Sequence, residues 1–361
     1  MSRSGPAVVI AGGGTGGHLF PGLALADELA ARGWRVVWVG TVAGIEARVV
    51  PTTPYPLHLV PGRQVRGGGV ARALFGVLAL LDGARRACGL LRSLAPQLVV
   101  GVGGYASAAT VVAARLARLP TVLLEQNAIP GATNRVLGRL AGRVCVGFEA
   151  AAAFFPAGRV LHTGNPVRRD ILAAAHRSPH ARPGLLVFGG SQGAHRLNEV
   201  SVEAVRLLGG RAAGIDVVHQ TGSADREAVA AGYAAIGVPA RVDAFIDDMA
   251  TAYAAADLAV SRAGAMSCAE LTAVGLPAIL VPYPFAADDH QRANAEALRR
   301  AGAAEVILDR ELTGERLAGA VRGLLGDPAA LARAARAALA LGRPDAAARV
   351  ADACERALSP S

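Results

Sequence analysis

Short apolar runs alternate with longer helical stretches rich in alanine, leucine and arginine along the whole chain, and this alternation constrains the fold most. It predicts an α/β fold in which a parallel sheet is covered by helices on both faces. The predicted strands are residues 7–11, 36–40, 98–102, 121–125, 144–146, 185–188, 216–219, 258–261 and 278–281.

The chain also repeats itself about half a chain apart. Residues 7–18 and 185–195 both show a strand, a glycine turn and a helix start, which indicates two Rossmann-like domains in the 361 residues. The sequence GNP at 164–166 and the polar stretch 177–184 bracket the predicted linker, so we expect domains at 1–165 and 166–344. Residues 344–358 read as a helix whose pattern does not indicate which domain it packs against.

Arginine carries all the positive charge. The chain has 37 basic and 28 acidic residues and no lysine, which excludes lysine Schiff bases, lysine nucleophiles and the P-loop lysine. Residues 1–165 contain 16 arginines and 6 acids, whereas residues 166–361 contain 21 arginines and 22 acids. The basic half indicates an anionic partner, namely nucleic acid, an anionic membrane surface or a phosphorylated substrate. The alternative is a solvated surface without a partner.

Cysteine spacing and apolar run length indicate a cytoplasmic protein that does not span a membrane. The four cysteines form no C-x-x-C pair, which disfavours zinc and haem sites and predicts free thiols. The amino terminus reaches glycines after five apolar residues, too few for a signal peptide. Every other uncharged stretch ends well short of the roughly 20 apolar residues that a membrane span needs.

Three glycine turns follow predicted strands, at residues 12–17, 101–104 and 189–193. A glycine turn before a helix lets free N–H groups and the helix dipole approach an anion. We therefore expect at least two anionic groups to bind in a cleft between the domains, although tight strand-to-helix packing is the alternative. A dinucleotide site is disfavoured because the second strand runs to Thr41 without the acid that would hold a ribose.

Two titratable residues stand at predicted helix starts. The helix dipole at His18 disfavours the imidazolium form, which suits a neutral base near pH 7, while a capping role is the alternative. Glu270 follows Ser267 by three residues, which fits either a capping box or a carboxylate that clamps two ribose hydroxyls. The chain has no D-x-D pair, so metal held by carboxylates is disfavoured and helix ends and arginines must meet leaving-group charge.

Taken together, the motifs resemble those of the MurG family, the N-acetylglucosaminyltransferases of peptidoglycan synthesis. The resemblance covers nearly the whole chain, and the combination is specific although each piece alone is not. The chain departs from the family at Ala263, where serine is frequent, and at His290, where some members have glutamine. The motifs, in family order, are GGTGGH at 13–18, GGYAS at 103–107, EQN at 125–127, TGNPVR at 163–168, GGSQGA at 189–194, FIDDM at 245–249, RAGA at 262–265 with Glu270, and HQ at 290–291.

This resemblance implies a GT-B fold, in which two Rossmann-like domains face a cleft and the terminal helix, 345–361, packs back onto the first domain. It implies inverting transfer of GlcNAc from UDP-GlcNAc to the 4-hydroxyl of MurNAc in undecaprenyl-pyrophosphoryl-MurNAc-pentapeptide (lipid I), without a cofactor or metal. The products are lipid II and UDP. Such an enzyme serves cell wall biogenesis, cell shape and cell division, as a peripheral protein on the cytoplasmic face of the inner membrane.

The resemblance also gives each candidate residue a role. His18 is the candidate general base, and Tyr105 and Glu125 line the acceptor side. The donor-binding residues are Ile246 for uracil through its backbone, Glu270 for the ribose, Ser191, Ala265, Met266 and Ser267 for the pyrophosphate, Arg168 as a further contact to the nucleotide sugar, and Asn127, His290, Gln291, Thr15, Gly16 and Gly17 for the GlcNAc.

A predicted amphipathic helix suits contact with anionic lipid headgroups. Its spacing alone favours an ordinary core-facing stripe, but a lipid-linked acceptor favours a membrane surface. The residues are Leu74, Phe75, Leu78 and Leu81, flanked by Arg72, Arg85 and Arg86.

Two other classes of protein remain as alternatives. A nucleotide-linked oxidoreductase would use the first glycine loop but lacks the acid at Thr41. A nucleic-acid-binding protein would suit the basic half, yet aromatic residues are only 4% of the chain and no recognised binding motif occurs. We therefore expect no nucleic acid partner.

Overall fold

The apolar runs form the strands of two parallel sheets in a computed structural model, which describes residues 5–60, 70–175, 182–190 and 193–358, with the backbone alone at 70–78. The prediction of an α/β fold with parallel sheets is confirmed. The strands are β1 Ala7–Gly12, β2 Arg35–Thr41, β3 Leu57–Val60, β4 Leu98–Gly103, β5 Thr121–Glu125, β6 Arg143–Val146, β7 Val160–His162, β8 Gly184–Phe188, β9 Asp216–Gln220, β10 Ala240–Asp243, β11 Leu258–Ser261, β12 Ala278–Leu280 and β13 Ala304–Val306.

Helices connect these strands. They are α1 Gly16–Ala31, α2 Glu46–Val49, α3 Val70–Leu94, α4 Gly104–Leu116, α5 Ala132–Leu137, α6 Arg169–Ala173, α7 His195–Leu207, α8 Arg226–Ala235, α9 Met249–Ala254, α10 Ala265–Ala273, α11 His290–Arg300, α12 Gly314–Leu325, α13 Pro328–Leu341 and α14 Ala346–Leu358. Short 3-10 turns lie at Val50–Thr52, Glu149–Phe154, Gly210–Ala213, Ala287–Asp289 and Asp309–Glu311.

The chain divides into two units. The first comprises Met1–Arg168 and Asp345–Ser361, and the second comprises Arg169–Pro344. Residues 176–181 are not among the described residues, so the predicted linker stretch 177–184 lies partly outside them.

In the first unit the strand order is β3-β2-β1-β4-β5-β6-β7, and in the second it is β10-β9-β8-β11-β12-β13. All of these pairs are parallel. Chain order reverses between β1 and β4 in the first sheet and between β8 and β11 in the second. Ligands of open α/β sheets bind beyond the carboxyl ends of the strands at such reversals. The glycine turns at 12–17, 101–104 and 189–193 lie at the carboxyl ends of three of these four strands, β1, β4 and β8.

Helix α14 completes the core of the first unit, although it follows the second unit in sequence. Val350, Ala351 and Cys354 are buried in the cluster that includes strand β1 and helix α1. On the same side, Arg32 of α1 pairs with Asp352 at 2.7 Å and donates to the carbonyl of Ala348 at 3.2 Å. The terminal helix is therefore part of the first unit's fold.

Candidate active site

The two glycine turns of the first unit pack against each other backbone to backbone. Gly13 donates its N–H to the carbonyl of Gly103 at 3.3 Å. Gly12 has φ +146° and Gly103 has φ +108°, and a Cβ at Gly12 would lie 2.4 Å from the Gly103 oxygen. Only glycine accommodates both the positive φ and this close approach. The arrangement brings the starts of α1 and α4 together at the carboxyl ends of β1 and β4.

His18 lies half-buried in the first turn of α1. Its Nδ1 is 3.1 Å from the carbonyl oxygen of Gly13 and 3.4 Å from the hydroxyl of Thr15. Because a carbonyl only accepts, Nδ1 carries the proton in the neutral ring and Nε2 holds the lone pair. The ring packs against Gly103, where a Cβ would lie 2.6 Å from Cδ2 and 2.8 Å from Nε2. This geometry suits a neutral general base.

Thr15, Gly16 and Gly17 surround this histidine at the helix start. Thr15 is the residue immediately before α1, and its carbonyl accepts the N–H of Leu19 at 3.1 Å. Thr15 and Gly17 are exposed and Gly16 is half-buried. This segment of the loop is therefore accessible to a ligand from solvent.

Glu46 is a buried residue of this site that the sequence analysis missed. Its Oε2 accepts the N–H of Gly14 at 2.6 Å, and its Oε1 accepts both the N–H and the hydroxyl of Thr41 at 2.8 Å. Strand β2 itself carries no acid at Thr41, as predicted. The chain then turns, and the carboxylate of Glu46 lies beside Thr41 at the end of that strand. The expectation that the first loop offers its N–H groups to a ligand anion is therefore wrong for Gly14. The sequence features that could have indicated the position of Glu46 are the glycines at 13, 40 and 44, where a Cβ would collide with the Glu46 side chain.

Glu125 ends β5 and is buried, with both carboxylate oxygens occupied by donors from its own chain. Oε1 accepts the N–H of Asn127 at 2.8 Å, and Oε2 accepts the side-chain amide of Asn134 at 2.8 Å. Burial raises the pKa of Glu125, and these N–H donors partly oppose the shift. The Glu125 carboxylate therefore holds the loop that presents the half-buried Asn127, and its place on the acceptor side stays a prediction. The sequence analysis missed Asn134.

Tyr105 follows the second glycine turn and is half-buried at the start of α4. Its hydroxyl donates to the main-chain carbonyl of Ala79 in α3. Gly83 leaves room for this contact, since a Cβ there would lie 2.9 Å from the tyrosine oxygen. Burial, with the nearby carboxylate of Asp82, raises the pKa of Tyr105. Tyr105 thus joins the glycine turn at 101–104 to helix α3.

The predicted membrane residues lie on helix α3. Arg72, Leu74, Phe75 and Leu78 fall in its first half, and their side chains lie outside the described part of the structure. Leu81 is 58% exposed, and Arg85 and Arg86 are exposed. Among the described residues, helices that are both long and apolar enough to cross a membrane are absent.

In the second unit, Gln220 joins the glycine turn after β8 to the predicted uracil contact. Its amide nitrogen donates to the carbonyl of Gly190 at 3.0 Å, and its oxygen accepts the N–H of Ile246 at 2.9 Å. A uracil that used the Ile246 N–H would have to displace Gln220. Ser191 lies outside the described residues.

Helix α10 begins beside this turn and carries the predicted ribose contact. Gly264 is its N-cap, so the capping-box alternative for Ser267 and Glu270 is wrong. Glu270 is half-buried, and its Oε2 accepts the hydroxyl of the buried Tyr253 at 2.8 Å. Ala265 and Met266 are buried in the first turn and Ser267 is half-buried. The carboxylate is therefore held in place one turn behind a helix start that can face phosphate.

His290 and Gln291 open helix α11 and are both half-buried. Nδ1 of His290 donates to the carbonyl of Ala287 at 2.6 Å, and the Gln291 oxygen accepts the N–H of Tyr283 at 2.9 Å. The first turns of α11 are tied to the segment that precedes α10, because Asn294 donates to the carbonyl of Ala263 at 3.1 Å. The hydrogen bond from Tyr283 fixes the orientation of the Gln291 amide, whose nitrogen is the donor end of the group.

Two further observations concern anion and metal binding. The guanidinium carbon of Arg168, at the end of the first unit's long segment, lies 4.9 Å from the ring centroid of Phe20. This stacking places Arg168, the predicted further contact to the nucleotide sugar, against helix α1 at a residue two positions beyond His18. Within the described ranges, we find no group of three or more His, Cys, Asp or Glu side chains that could hold a metal ion.

Known proteins match the chain over nearly its full length. Residues 8–146 match the glycosyltransferase family 28 N-terminal domain, and residues 184–350 match the C-terminal domain of that family. The UDP-N-acetylglucosamine–N-acetylmuramyl-(pentapeptide) pyrophosphoryl-undecaprenol N-acetylglucosamine transferase of Pelobacter propionicus is 46% identical over 370 residues, covering 96% of this chain and 98% of that protein. The protein of the same name from Myxococcus xanthus is 50% identical over 355 residues, covering 96% of this chain and 92% of that protein. The crystal structure of Acinetobacter baumannii MurG matches with a TM-score of 0.79 at 32% identity, covering 97% of this chain and 99% of that one.

Proposed function

The chain belongs to the MurG family of glycosyltransferases, and from this we propose that it transfers N-acetylglucosamine from UDP-GlcNAc to the 4-hydroxyl of MurNAc in lipid I. The products are lipid II and UDP. The observation that carries the proposal is the position of the candidate residues at the strand reversals of both sheets. His18 follows β1 in the first unit, and the start of α10 with Glu270 follows β11 in the second.

The second unit, with a boundary near residues 166–168, binds the donor in this proposal. Glu270 clamps the ribose hydroxyls, and the hydrogen bond from Tyr253 to its Oε2 orients the carboxylate. The start of α10 at Ala265, Met266 and Ser267 receives the pyrophosphate. Ser191 contacts the same group, Arg168 is a further contact to the nucleotide sugar, and the backbone at Ile246 contacts uracil.

The donor sugar is read by side chains that the structure holds in fixed orientations. Gln291 presents its amide nitrogen, since its oxygen is already occupied by Tyr283. His290 and Asn127 contact further hydroxyls, and Thr15, Gly16 and Gly17 contact the sugar from the first glycine loop.

In the transfer step, the 4-hydroxyl oxygen of MurNAc bonds to the anomeric carbon from the face opposite UDP. The bond between that carbon and the UDP oxygen breaks, so the anomeric configuration inverts. Nε2 of His18 takes the hydroxyl proton, because Nδ1 is engaged by the carbonyl of Gly13. The negative charge that develops on UDP is met by the α10 helix start and by Arg168, without a metal ion or cofactor.

The first unit binds the acceptor and the membrane in this proposal. Its basic balance, 16 arginines against 6 acids over residues 1–165, suits a lipid pyrophosphate and an anionic surface. Helix α3 with Leu81 and Arg85 contacts the cytoplasmic face of the inner membrane, where the protein is peripheral. The enzyme then serves cell wall biogenesis, and through it cell shape and division.

The test supplies the purified protein with UDP-GlcNAc and a lipid I analogue and follows UDP release. We expect transfer by the native protein, and a fall of about 10²–10⁴-fold in kcat for His18→Ala with donor affinity nearly unchanged. His58→Ala, on edge strand β3, is the control and should transfer like the native protein. Absence of UDP release by a folded protein with authentic acceptor would refute the proposal.

A further inference from the structure

We propose that Glu46 is a positioning residue of the transfer reaction: its carboxylate is a built-in anion that shapes the glycine loop at 13–17 and so places His18. The inference rests on the proposed function and deepens it, by naming a buried residue that acts through the backbone of the glycine loop.

Both oxygens of the Glu46 carboxylate accept hydrogen bonds. Oε2 accepts the N–H of Gly14 at 2.6 Å, and Oε1 accepts the N–H and the hydroxyl of Thr41 at 2.8 Å. Hydrogen bonds to an ionised acceptor are shorter and about twice as strong as neutral ones. The N–H of Gly14 therefore binds the carboxylate of Glu46. In dinucleotide sites, the corresponding N–H groups of a glycine loop bind phosphate.

The surroundings of Glu46 are built for this side chain. Glu46 is fully buried, with 0% exposure. A Cβ at Gly13 or Gly44 would lie 2.1 Å from its Oε2, and a Cβ at Gly40 would lie 2.4 Å from its Cγ. A buried carboxylate without partners is costly, so glycines from three separate positions and three donors define a specific place for it.

The loop connects this place to the candidate base directly. Gly14 lies between Gly13, whose carbonyl accepts Nδ1 of His18, and Thr15, whose hydroxyl also approaches that nitrogen. Gly13 and Gly14 have φ +146° and +85°, values that no side chain of the loop enforces. Anchoring Gly14 therefore fixes the path of the backbone on both sides. A displacement of about 1 Å in a catalytic group can cost about 10²-fold in rate.

The test compares Glu46→Gln with Thr41→Val. An amide has one acceptor oxygen, so Glu46→Gln cannot accept from the backbone N–H groups of Gly14 and Thr41 on opposite sides. Thr41→Val removes only the hydroxyl contact and leaves both backbone N–H contacts. We expect Glu46→Gln to lower kcat at least 10-fold with the KM for UDP-GlcNAc within about 2-fold. Thr41→Val should stay within about 3-fold of the native kcat.

A second readout does not depend on turnover. The ¹⁵N signals of the His18 ring report which nitrogen carries the proton, and we expect the Nδ1–H form in the native protein and in Thr41→Val. Glu46→Gln should show a mixture of tautomers, because the Gly13 carbonyl moves. If Glu46→Gln does not fold, Glu46→Asp replaces it in the test. Its side chain is shorter by one carbon, so the carboxylate stays charged but lies about 1.5 Å further from Gly14 and Thr41. It should show the same changes.

The outcomes separate the two proposals. Native kcat and an unchanged His18 spectrum in folded Glu46→Gln or Glu46→Asp would overturn the positioning role while leaving the transferase intact. A loss of kcat in Thr41→Val equal to that in Glu46→Gln, with the native His18 spectrum, would also overturn it, because activity would then fall while the histidine keeps its position. A native protein that does not transfer GlcNAc would overturn the proposed function, and the His18 spectrum would still test Glu46.

Discussion

The hydroxyl of Tyr105 donates to the main-chain carbonyl of Ala79, which joins the turn beside His18 to the helix that carries the candidate membrane residues. Gly83, one turn further along α3, is what lets the hydroxyl approach. Helix α3 and the glycine turn at 101–104 are therefore connected by a hydrogen bond within one unit.

Removal of that hydroxyl should loosen α3. We expect Tyr105→Phe to lose about 0.5–1.5 kcal/mol of local stability, which corresponds to roughly 2- to 13-fold faster amide hydrogen exchange in α3. Hydrogen exchange followed by mass spectrometry measures this. Tyr55→Phe is the control, because it removes a hydroxyl that donates to Asp27 and leaves α3 untouched. Equal exchange in α3 for both variants would contradict the role given to Tyr105.

The fit of His18 against Gly103 predicts a second result. Gly103→Ala places a methyl group 2.6 Å from the ring carbon of His18, so the base must move, and kcat should fall about 10²-fold. Gly33→Ala is a matched control: Gly33 also has a positive φ, +85°, but a Cβ there meets no atom within 4 Å. It should cost about 1 kcal/mol of stability and leave kcat unchanged. Steady-state kinetics on both variants decide between displacement of His18 and simple backbone strain.

Glu270 should control UDP affinity through its carboxylate. A hydrogen bond to a charged group contributes about 1.5–3 kcal/mol, so Glu270→Gln should weaken UDP binding about 10- to 150-fold in calorimetry. Tyr253→Phe removes the hydroxyl that orients the carboxylate and should weaken binding by a smaller factor, about 3- to 10-fold. The exposed Glu227→Gln, on α8 of the same unit, should bind UDP normally. Unchanged binding in Glu270→Gln would remove its assignment to the ribose.

The second unit should lose stability in acid through His219. The ring is fully buried, Nδ1 lies 3.0 Å from the Tyr233 oxygen and Nε2 lies 3.1 Å from Oδ1 of Asn198. Burial lowers the pKa of His219 from 6.5 to about 3, so below pH 6.5 the unfolded chain binds a proton that the folded one does not. The native protein should therefore lose about 2 kcal/mol between pH 6.5 and pH 5 from this group.

His219→Gln should flatten that acid dependence of the thermal midpoint, even if it lowers the midpoint itself. The matched control is His58→Gln in the first unit, which should keep the native slope. A slope in His219→Gln equal to the native one would show that the stability loss comes from other groups.

The apolar side of α3 predicts the last result. Replacing Leu74, Phe75 and Leu78 together by serine should abolish sedimentation with anionic vesicles, because burial of each large apolar side chain contributes about 1.5–3 kcal/mol. Replacing the exposed Leu339 and Leu341 of the second unit by serine is the control. Unchanged vesicle binding by the folded triple variant would remove the membrane assignment of this helix.

The comparison of sequence with structure shows what local patterns can and cannot predict. The nine predicted strands all exist, but β3, β7, β10 and β13 were missed, and all four are edge strands. An edge strand is covered less completely, so it needs no continuous apolar run. Short sequence motifs located the glycine turns, His18 and Glu270, because each of these features depends on only a few consecutive residues.

Residues that act across the fold were not predictable in this way. Glu46 reaches Gly14 from 32 positions away, and Asn134 reaches Glu125 from 9 positions away. Neither stands in a recognised motif. Their roles depend on which strands become neighbours, and the spacing of residues along the chain does not contain that information.

The packing of α14 has a consequence for how the protein is made. Val350 and Cys354 belong to the core built on β1 and α1. That core therefore lacks the packing of α14 until the ribosome has synthesised the entire second unit and then α14 itself. At about 5–20 residues per second, the first-made unit waits roughly 10–40 s for a helix that is made last. The order of completion is therefore the reverse of the order of synthesis, and the nascent amino-terminal unit is the one that needs protection from aggregation.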